Sequence, residues 1–307
     1  MSSHRSVRAQ QASHIAIPEN LPADQTVLAF LCQRFPHVAE SQWRQRIIAG
    51  HVYWHDGLAL STDSVIRPRQ RLYYFREVAK EQIVPLQHEI VYQDEQIIIA
   101  FKPPFLALHP SGQVVNECLV NRLRQQTGLA TIVAAHRLDR ATGGLVLLCK
   151  HAQHRDAYHQ LFRDGNINKV YQAIAPVTEQ LTEQLAQGEL SLPIEWQVKN
   201  RIVKGSPSFT RQVVSGEANS HSLITLQQVK QGLGLFSLSP ITGRTHQLRV
   251  HMASLGMPIV NDRCYPVLSP AHADDYQRPL QLLAQRLTFV DPVTQAKVDV
   301  HCEPLKL

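Results

Sequence analysis

No stretch of this chain approaches the roughly 20 consecutive apolar residues that a membrane-spanning helix needs, and its polar N-terminus has no signal-peptide core. Cysteine is sparse. The five present (Cys32, Cys118, Cys149, Cys264, Cys302) are scattered without a C-x-x-C pair. That excludes a disulfide framework or a zinc ribbon and points to reduced thiols. There is no phosphate-binding glycine loop and no G-x-G-x-x-G, so nucleotide-cofactor chemistry has no sequence support. Acidic residues are in deficit, 25 against 31 Lys and Arg for a formal charge of +6. Such a balance speaks to an anionic partner, not to fold. What the chain does have is 307 residues of which 44% are hydrophobic, ample for a substantial core in one or two domains. The expectation is a cytoplasmic, monomeric protein without a membrane partner.

Residues 1–20 are polar and aperiodic, carrying Arg5 and Arg8, and read as a flexible tail. Over 21–77 the pattern tightens. Thr26–Cys32 with Phe35 has helical spacing, Pro36 interrupts it, and Ser41–Ile48 makes a second short helix stopped at Gly50. His51–Trp54 and Leu58–Leu60 flank an Asp-Gly turn, the signal of a hairpin. Arg67 and Arg69 precede a strand at Leu72–Phe75. Residues 78–87 read as a linker, and 88–307 as the main domain. There, Glu89–Gln93 and Gln96–Phe101 read as strands ended by Lys102-Pro-Pro104, and Val115–Gln126 and Ala152–Phe162 as helices. Val170–Ala175 alternates as a strand, and Thr178–Trp196 reads as a variable connection. Strands follow at Arg211–Ser215, His221–Gln228, Leu235–Pro240, Leu280–Ala284, Leu287–Val290 and Val298–His301. Between them Thr245 is a plausible N-cap for a helix over His246–Leu255. Many strands with few long helices predict an α+β fold on a mixed, largely antiparallel sheet.

The most informative stretch is His136-Arg-Leu-Asp-Arg-Ala-Thr-Gly-Gly-Leu-Val-Leu-Leu-Cys-Lys150. A carboxylate, Asp139, stands between Arg137 and Arg140 on a loop. A turn at Gly143 and Gly144 then leads into a buried strand, a common mounting for a catalytic group. Read alone, the stretch is equally a surface loop in which Asp139 pairs with an arginine. Two later stretches are Asn168-Lys-Val-Tyr171 and Pro240-Ile-Thr-Gly-Arg-Thr-His-Gln-Leu-Arg-Val-His251, the latter continued by Leu255–Ile259, Asp262 and Tyr265.

These three motifs, in this order, resemble those of the RluA-type pseudouridine synthases, with Gly143 where that family usually has serine. The phrase I-x-x-G-x-V, with its two preceding helices, resembles the small RNA-binding domain named after the fourth protein of the small ribosomal subunit. The resemblance implies isomerisation of uridine to pseudouridine in structured RNA, ribosomal RNA of the large subunit being favoured and transfer RNA the alternative. The reaction breaks the bond from C1′ to N1, turns the uracil and rejoins it through C5, with no cofactor, redox change or metal. One carboxylate is needed near C1′ and C2′, as nucleophile or as base. The resemblance assigns it to Asp139, oriented by the guanidinium fork of Arg249, with Tyr171 against the base and Arg137 filling the gap left by the flipped nucleotide. Arg140, Arg244 and His246, with Arg44, Arg46, Arg67 and Arg69 of the N-terminal segment, are expected to hold RNA. A strand tyrosine is commonly core, and that alternative stands for Tyr171.

Rival chemistries fare less well. A glycoside hydrolase needs two carboxylates across one bond, and no second acid falls in the three core motifs. The 16 histidines include His151-x-x-His154 and the pair His246 and His251. Those spacings are not an H-E-x-x-H face, and no acidic third ligand accompanies them. A non-catalytic RNA-binding protein would not need Asp139.

Overall fold

A computed structural model describes residues 6–22, 24–270 and 273–307; Arg5 lies outside them. The chain divides into two compact units, Met1–Gln82 with Pro110–Asn116, and Ile83–His109 with Glu117–Leu307.

In the first unit, helices Val27–Arg34 and Glu40–Ile48 accompany a three-stranded antiparallel sheet. Thr26 caps the first helix by accepting the Ala29 N–H at 3.1 Å, the local bond that makes threonine a good N-cap. Strand Arg71–Tyr74 lies between Ser13–Ala16 and Val52–Trp54. Its inner face meets the helices through Trp43, Trp54, Leu31 and Leu72, all under 2% exposed, a burial on the order of 2 kcal/mol for each such side chain. The expected tail is therefore corrected from residue 7 onward. Val7–Arg8 pairs with Glu77–Val78, Ser13–Ala16 is a sheet strand, and Ile17 is buried, because apolar Ile15 and Ile17 have core to reach. The segment 78–87 is likewise not featureless. Val78 is paired and Val84 buried, while the Arg122 guanidinium binds the Val84 and Leu86 carbonyls at 2.6 and 2.7 Å.

The second unit is built on one eleven-stranded sheet. From one edge its main path runs Arg211–Val214, Ile194–Lys204, Ser220–Lys230, Leu233–Pro240, Ile167–Pro176, Leu282–Val290, Gly143–Cys149, Ile97–Lys102 and Glu89–Gln93. Every neighbouring pair on this path is antiparallel except Leu282–Val290 with Gly143–Cys149, which is parallel. The α+β class and mixed sheet are as the sequence predicts, with 18% of the chain helical.

Several local expectations change. The two strands expected at Leu280–Ala284 and Leu287–Val290 are one strand, Leu282–Val290. The connection Thr178–Trp196 contains helix Glu179–Ala186, capped by Thr178, and the start of strand Ile194–Lys204. That strand alternates half-buried and exposed residues from Ile194 to Arg201. Helix Leu119–Thr127 starts later than residue 115. Gly143 and Gly144 open the strand rather than the turn. Gly144 has φ +116° and stands opposite Ala284, whose backbone any β-carbon there would strike. Glycine is needed for that close approach between strands.

The candidate active site

The register of four adjacent strands assembles the site. Ala284 pairs with Gly144 on one side and Tyr171 on the other, and Tyr171 pairs in turn with Leu238. The Asp139 loop ends where strand Gly143–Cys149 begins, closed by a Thr142 N–H to Asp139 carbonyl bond of 3.1 Å. The loop that enters helix Gln247–Ser254 follows strand Leu233–Pro240. The motifs, over a hundred residues apart, thus meet at one rim of the sheet, lining a cavity of about 1230 Å³. That exceeds the range usual for a small-molecule pocket and suits a nucleotide still attached to its chain.

Asp139 lies on the cavity wall, its side chain 20% exposed. Its Oδ2 is 3.6 Å from His246 Nε2 and 4.0 Å from Arg249 Nη1, and its Oδ1 is 3.9 Å from Arg137 Nη2. Arg137 is exposed and lines the same cavity. Arg140 does not join this group. Its guanidinium binds Asp274 through both terminal nitrogens and does not line the cavity.

Arg249 corrects the expectation in another way. Its planar fork engages Asp262, not Asp139: Nε to Oδ2 at 2.7 Å and Nη2 to Oδ1 at 2.6 Å. Asp262 Oδ1 also accepts the Cys264 N–H at 2.8 Å and the Tyr265 N–H at 3.2 Å. Only the remaining nitrogen, Nη1, turns to Asp139. Burial alone would lower the Arg249 pKa, but the bonds and charge of Asp262 raise it above its ordinary value. Asp262 thereby holds a permanent cation beside Asp139 in a place where an unpaired charge would be costly.

His246 begins the helix at φ +57° with no side-chain cap bond, so Thr245 is not the N-cap. The left-handed backbone lets the imidazole turn back into the cavity. Its Nδ1 is 2.8 Å from the Tyr265 hydroxyl, which itself accepts the Arg211 N–H at 2.8 Å. The hydroxyl proton is then available to Nδ1, and Nε2 faces an anion. Both facts favour the neutral tautomer protonated at Nε2. Burial lowers the pKa to about 4 against the opposing charge of Asp139.

Beneath the loop, Gln247 uses its whole amide. Its Oε1 accepts from Thr242 Oγ1 and Arg244 N at 2.7 and 3.0 Å, and its Nε2 donates to the His221 carbonyl and Ser222 Oγ at 2.9 and 2.8 Å. Such satisfied buried networks fix geometry. Exposed Arg244 binds the Asn219 carbonyl at 3.0 Å through Nε.

Tyr171 follows a register shift after Val170, a bulge of the kind that re-aims side chains beside active sites. The ring is half-buried, packs on the core and also lines the cavity. Burial, then the charge of Asp139, raises the pKa of its hydroxyl, so it is un-ionised. His136 accepts the Leu147 N–H at 3.0 Å through Nε2 and stacks on Phe162 at 4.3 Å. Its pKa falls to about 3 through burial, which makes it a neutral brace for the loop.

Sequence reasoning missed Lys102. Its buried Nζ donates to the carbonyls of Pro103, Leu106 and Arg140 at 3.0, 2.9 and 3.2 Å, tying the Asp139 loop to the neighbouring strand end. Burial lowers its pKa to about 7, and the charge of Asp139 opposes that shift. A lysine closing an otherwise apolar strand was the available signal. Of the histidines weighed as metal ligands, three are engaged outside the cavity. His151 contacts the Glu95 carbonyl, His154 the Gln96 side chain, and His251 Ser220 and Asn200.

Residues 96–254, just over half of the chain, match the family described as RNA pseudouridylate synthase. The chain belongs to this family. It is 35% identical over 209 residues to the dual-specificity RNA pseudouridine synthase RluA of Vibrio cholerae, covering 66% of this chain and 78% of that one. To the dual-specificity RluA of Pasteurella multocida it is 31% identical over 224 residues, covering 70% and 93%. A yeast relative from Saccharomyces cerevisiae, a tRNA pseudouridine(31) synthase, is 28% identical over 228 residues, covering 71% of this chain and 54% of its own. The solved structure of human RNA pseudouridylate synthase domain containing 1 shares the fold, with TM-score 0.53 at 20% identity over 73% of this chain and 86% of that one. The pseudouridine synthase described here is thus an RNA-modifying isomerase of the RluA type. Among the described residues no helix is long and apolar enough to cross a membrane.

Proposed function

We propose that Asp139 is the catalytic carboxylate of this synthase, acting on a uridine turned out of structured RNA into the cavity. The observation that carries this is the convergence of Arg137, His246 and Arg249 within 4.0 Å of one carboxylate at the cavity wall. The reaction uses one carboxylate at C1′ or C2′, and the Nη1 of Arg249 is turned toward this one at 4.0 Å. The N1–C1′ bond breaks, the uracil turns, C5 joins C1′, and the C5 proton leaves while N1 takes one up, so the product is an isomer of the uridine. Tyr171 offers a ring face to the loose uracil and a hydroxyl that can relay the C5 proton, releasing its own to solvent as it takes that of C5. Arg137, exposed at the rim, fills the gap the nucleotide vacates.

The first unit is assigned as an RNA-binding domain of the kind named after the fourth small-subunit ribosomal protein, which favours large-subunit ribosomal RNA as the target. Its expected arginines are unequal. Arg46 is 7% exposed, lies over Trp43 and faces Glu77 at 3.4 Å, so it is structural and leaves the phosphate-binding set. Arg44 pairs with Glu40, Arg67 with Asp56 and Arg69 with Glu19, all at the surface. Such exposed pairs exchange readily for phosphate. Transfer RNA is the second reading, favoured by the dual-specificity and tRNA-modifying relatives. Release of tritium from C5-labelled uridine in each RNA class by the purified protein tests the activity. Mapping pseudouridines in RNA from a deletion strain identifies the target. A missing ribosomal pseudouridine supports the first reading, and a missing transfer-RNA one the second.

A further inference from the structure

The outward face of the small sheet in the first unit has a composition unlike an ordinary solvated surface. Strand alternation sends Leu72, Val52, Trp54 and Ile15 into the core, which leaves the residues between them facing out. Register lines up His14, Tyr73 and Tyr53 across all three strands. The Tyr53 and Tyr73 rings are near-parallel, 11° apart with centroids at 5.6 Å, and His14 lies 5.3 Å beyond Tyr73. Phe75 extends the row, 6.2 Å from Tyr53, with the Arg8 guanidinium 5.6 Å over its ring. Arg71 and His55 stand exposed on the same face.

These outward positions carry rings, imidazoles and guanidinium groups and no carboxylate. The carboxylate recorded at their edge, Glu77, faces Arg46 and His51 at 3.4 and 3.5 Å. An aliphatic patch would suit a protein partner. A row of aligned rings bordered by cations suits stacked bases joined by phosphates, because every base has a π-face and every linkage an anion.

We propose that this sheet face is a stacking platform for an unpaired RNA segment, with Tyr53, Tyr73 and His14 receiving bases and Arg8 and Arg71 the phosphates. It rests on the reading of the first unit as RNA-binding but moves the contact from the helix arginines to the sheet. Duplex RNA, whose bases are already stacked, is not its ligand.

The test measures binding of the full chain to labelled oligoadenosine of about eight nucleotides, within the span of one such platform. Oligoadenosine offers the catalytic cavity no uridine. Replacing both rings, Tyr53→Leu with Tyr73→Leu, is expected to weaken binding about tenfold, as loss of one stacked base does, with an unchanged salt slope. Tyr53→Phe with Tyr73→Phe should bind as the wild type, and Arg71→Gln should flatten the salt slope. Should the leucine pair fail to fold, His14→Ala with Arg71→Gln, both exposed, is expected to lose at least threefold. Wild-type affinity in the leucine pair or, where that pair is unfolded, in the exposed pair would overturn the proposal. So would equal losses on a blunt duplex, or a dimer in sedimentation that the leucine pair abolishes. Tritium release by the same preparations keeps the two readings apart. Turnover with ring-independent oligoadenosine binding sinks only the platform, and ring-dependent binding without turnover sinks only the proposed catalytic reading.

Discussion

The two units handle arginine differently. In the catalytic unit Arg249 is 4% exposed and gripped by a buried partner, Asp262, so its charge is fixed in place beside Asp139. In the first unit Arg44, Arg67 and Arg69 lie at the surface, paired with exposed carboxylates. A buried, bidentate guanidinium is a positional device, whereas an exposed one is a source of field that salt screens. Arg46 crosses this division, since it sits in the first unit but is buried like Arg249. One residue type thus does two jobs, and burial decides which.

The comparison breaks most visibly at Asp262. Asp262→Asn leaves the Arg249 charge buried without its counter-ion, and stability is expected to fall by about 3 kcal/mol or more together with activity. Chemical denaturation of wild type and variant checks this, and an unaltered midpoint would mean that Arg249 is not anchored there. The smaller change Tyr171→Phe keeps the ring and its packing. Turnover on ordinary RNA should drop roughly a hundredfold, while processing of 5-fluorouridine RNA, which has no C5 proton, should match the wild type. Equal rates on both substrates would reduce Tyr171 to a stacking surface.

Much of the catalytic unit was legible because its motifs are contiguous. HRLD, KVY and GRTHQLRVH each bring their residues along one loop, one strand or one helix end, and strand alternation placed the sheet. The pairing of Arg249 with Asp262 was hidden by a thirteen-residue separation that only the turn after the helix closes. Lys102 escaped because a buried lysine has no periodic signature, only a fold that surrounds it with carbonyls. In the first unit the helix arginines were read at face value. Register across strands about 20 and 60 residues apart is not written in local pattern, so the ring row stayed out of sight, as did the burial of Arg46.

Two gentler measurements sharpen the contrast. In the catalytic unit His136, His246 and His251 are held neutral, with pKa values lowered to about 3, 4 and 4, chiefly by burial. Unfolded, each takes a proton near its ordinary value of 6.5. Between that pH and about 4 the unfolded chain therefore binds more protons, and stability falls as pH falls. Thermal melts at descending pH should show this decline, and a flat midpoint would contradict the buried, neutral assignment. In the first unit, changing Arg44, Arg67 and Arg69 together to Gln should shallow the salt dependence of RNA binding by up to about three counterions, with melting and saturated turnover nearly unchanged. An unaltered slope would remove these arginines from the RNA contact.

The most direct measurement is single-turnover tritium release from C5-labelled uridine RNA by Asp139→Asn at saturating protein, with the dissociation constant measured on the same RNA. The expected result is no release above background, with affinity close to wild type, because the carboxylate does the chemistry while the arginines hold the substrate. Release within tenfold of the wild-type rate, a barrier change of only about 1.4 kcal/mol, would contradict the assignment of Asp139.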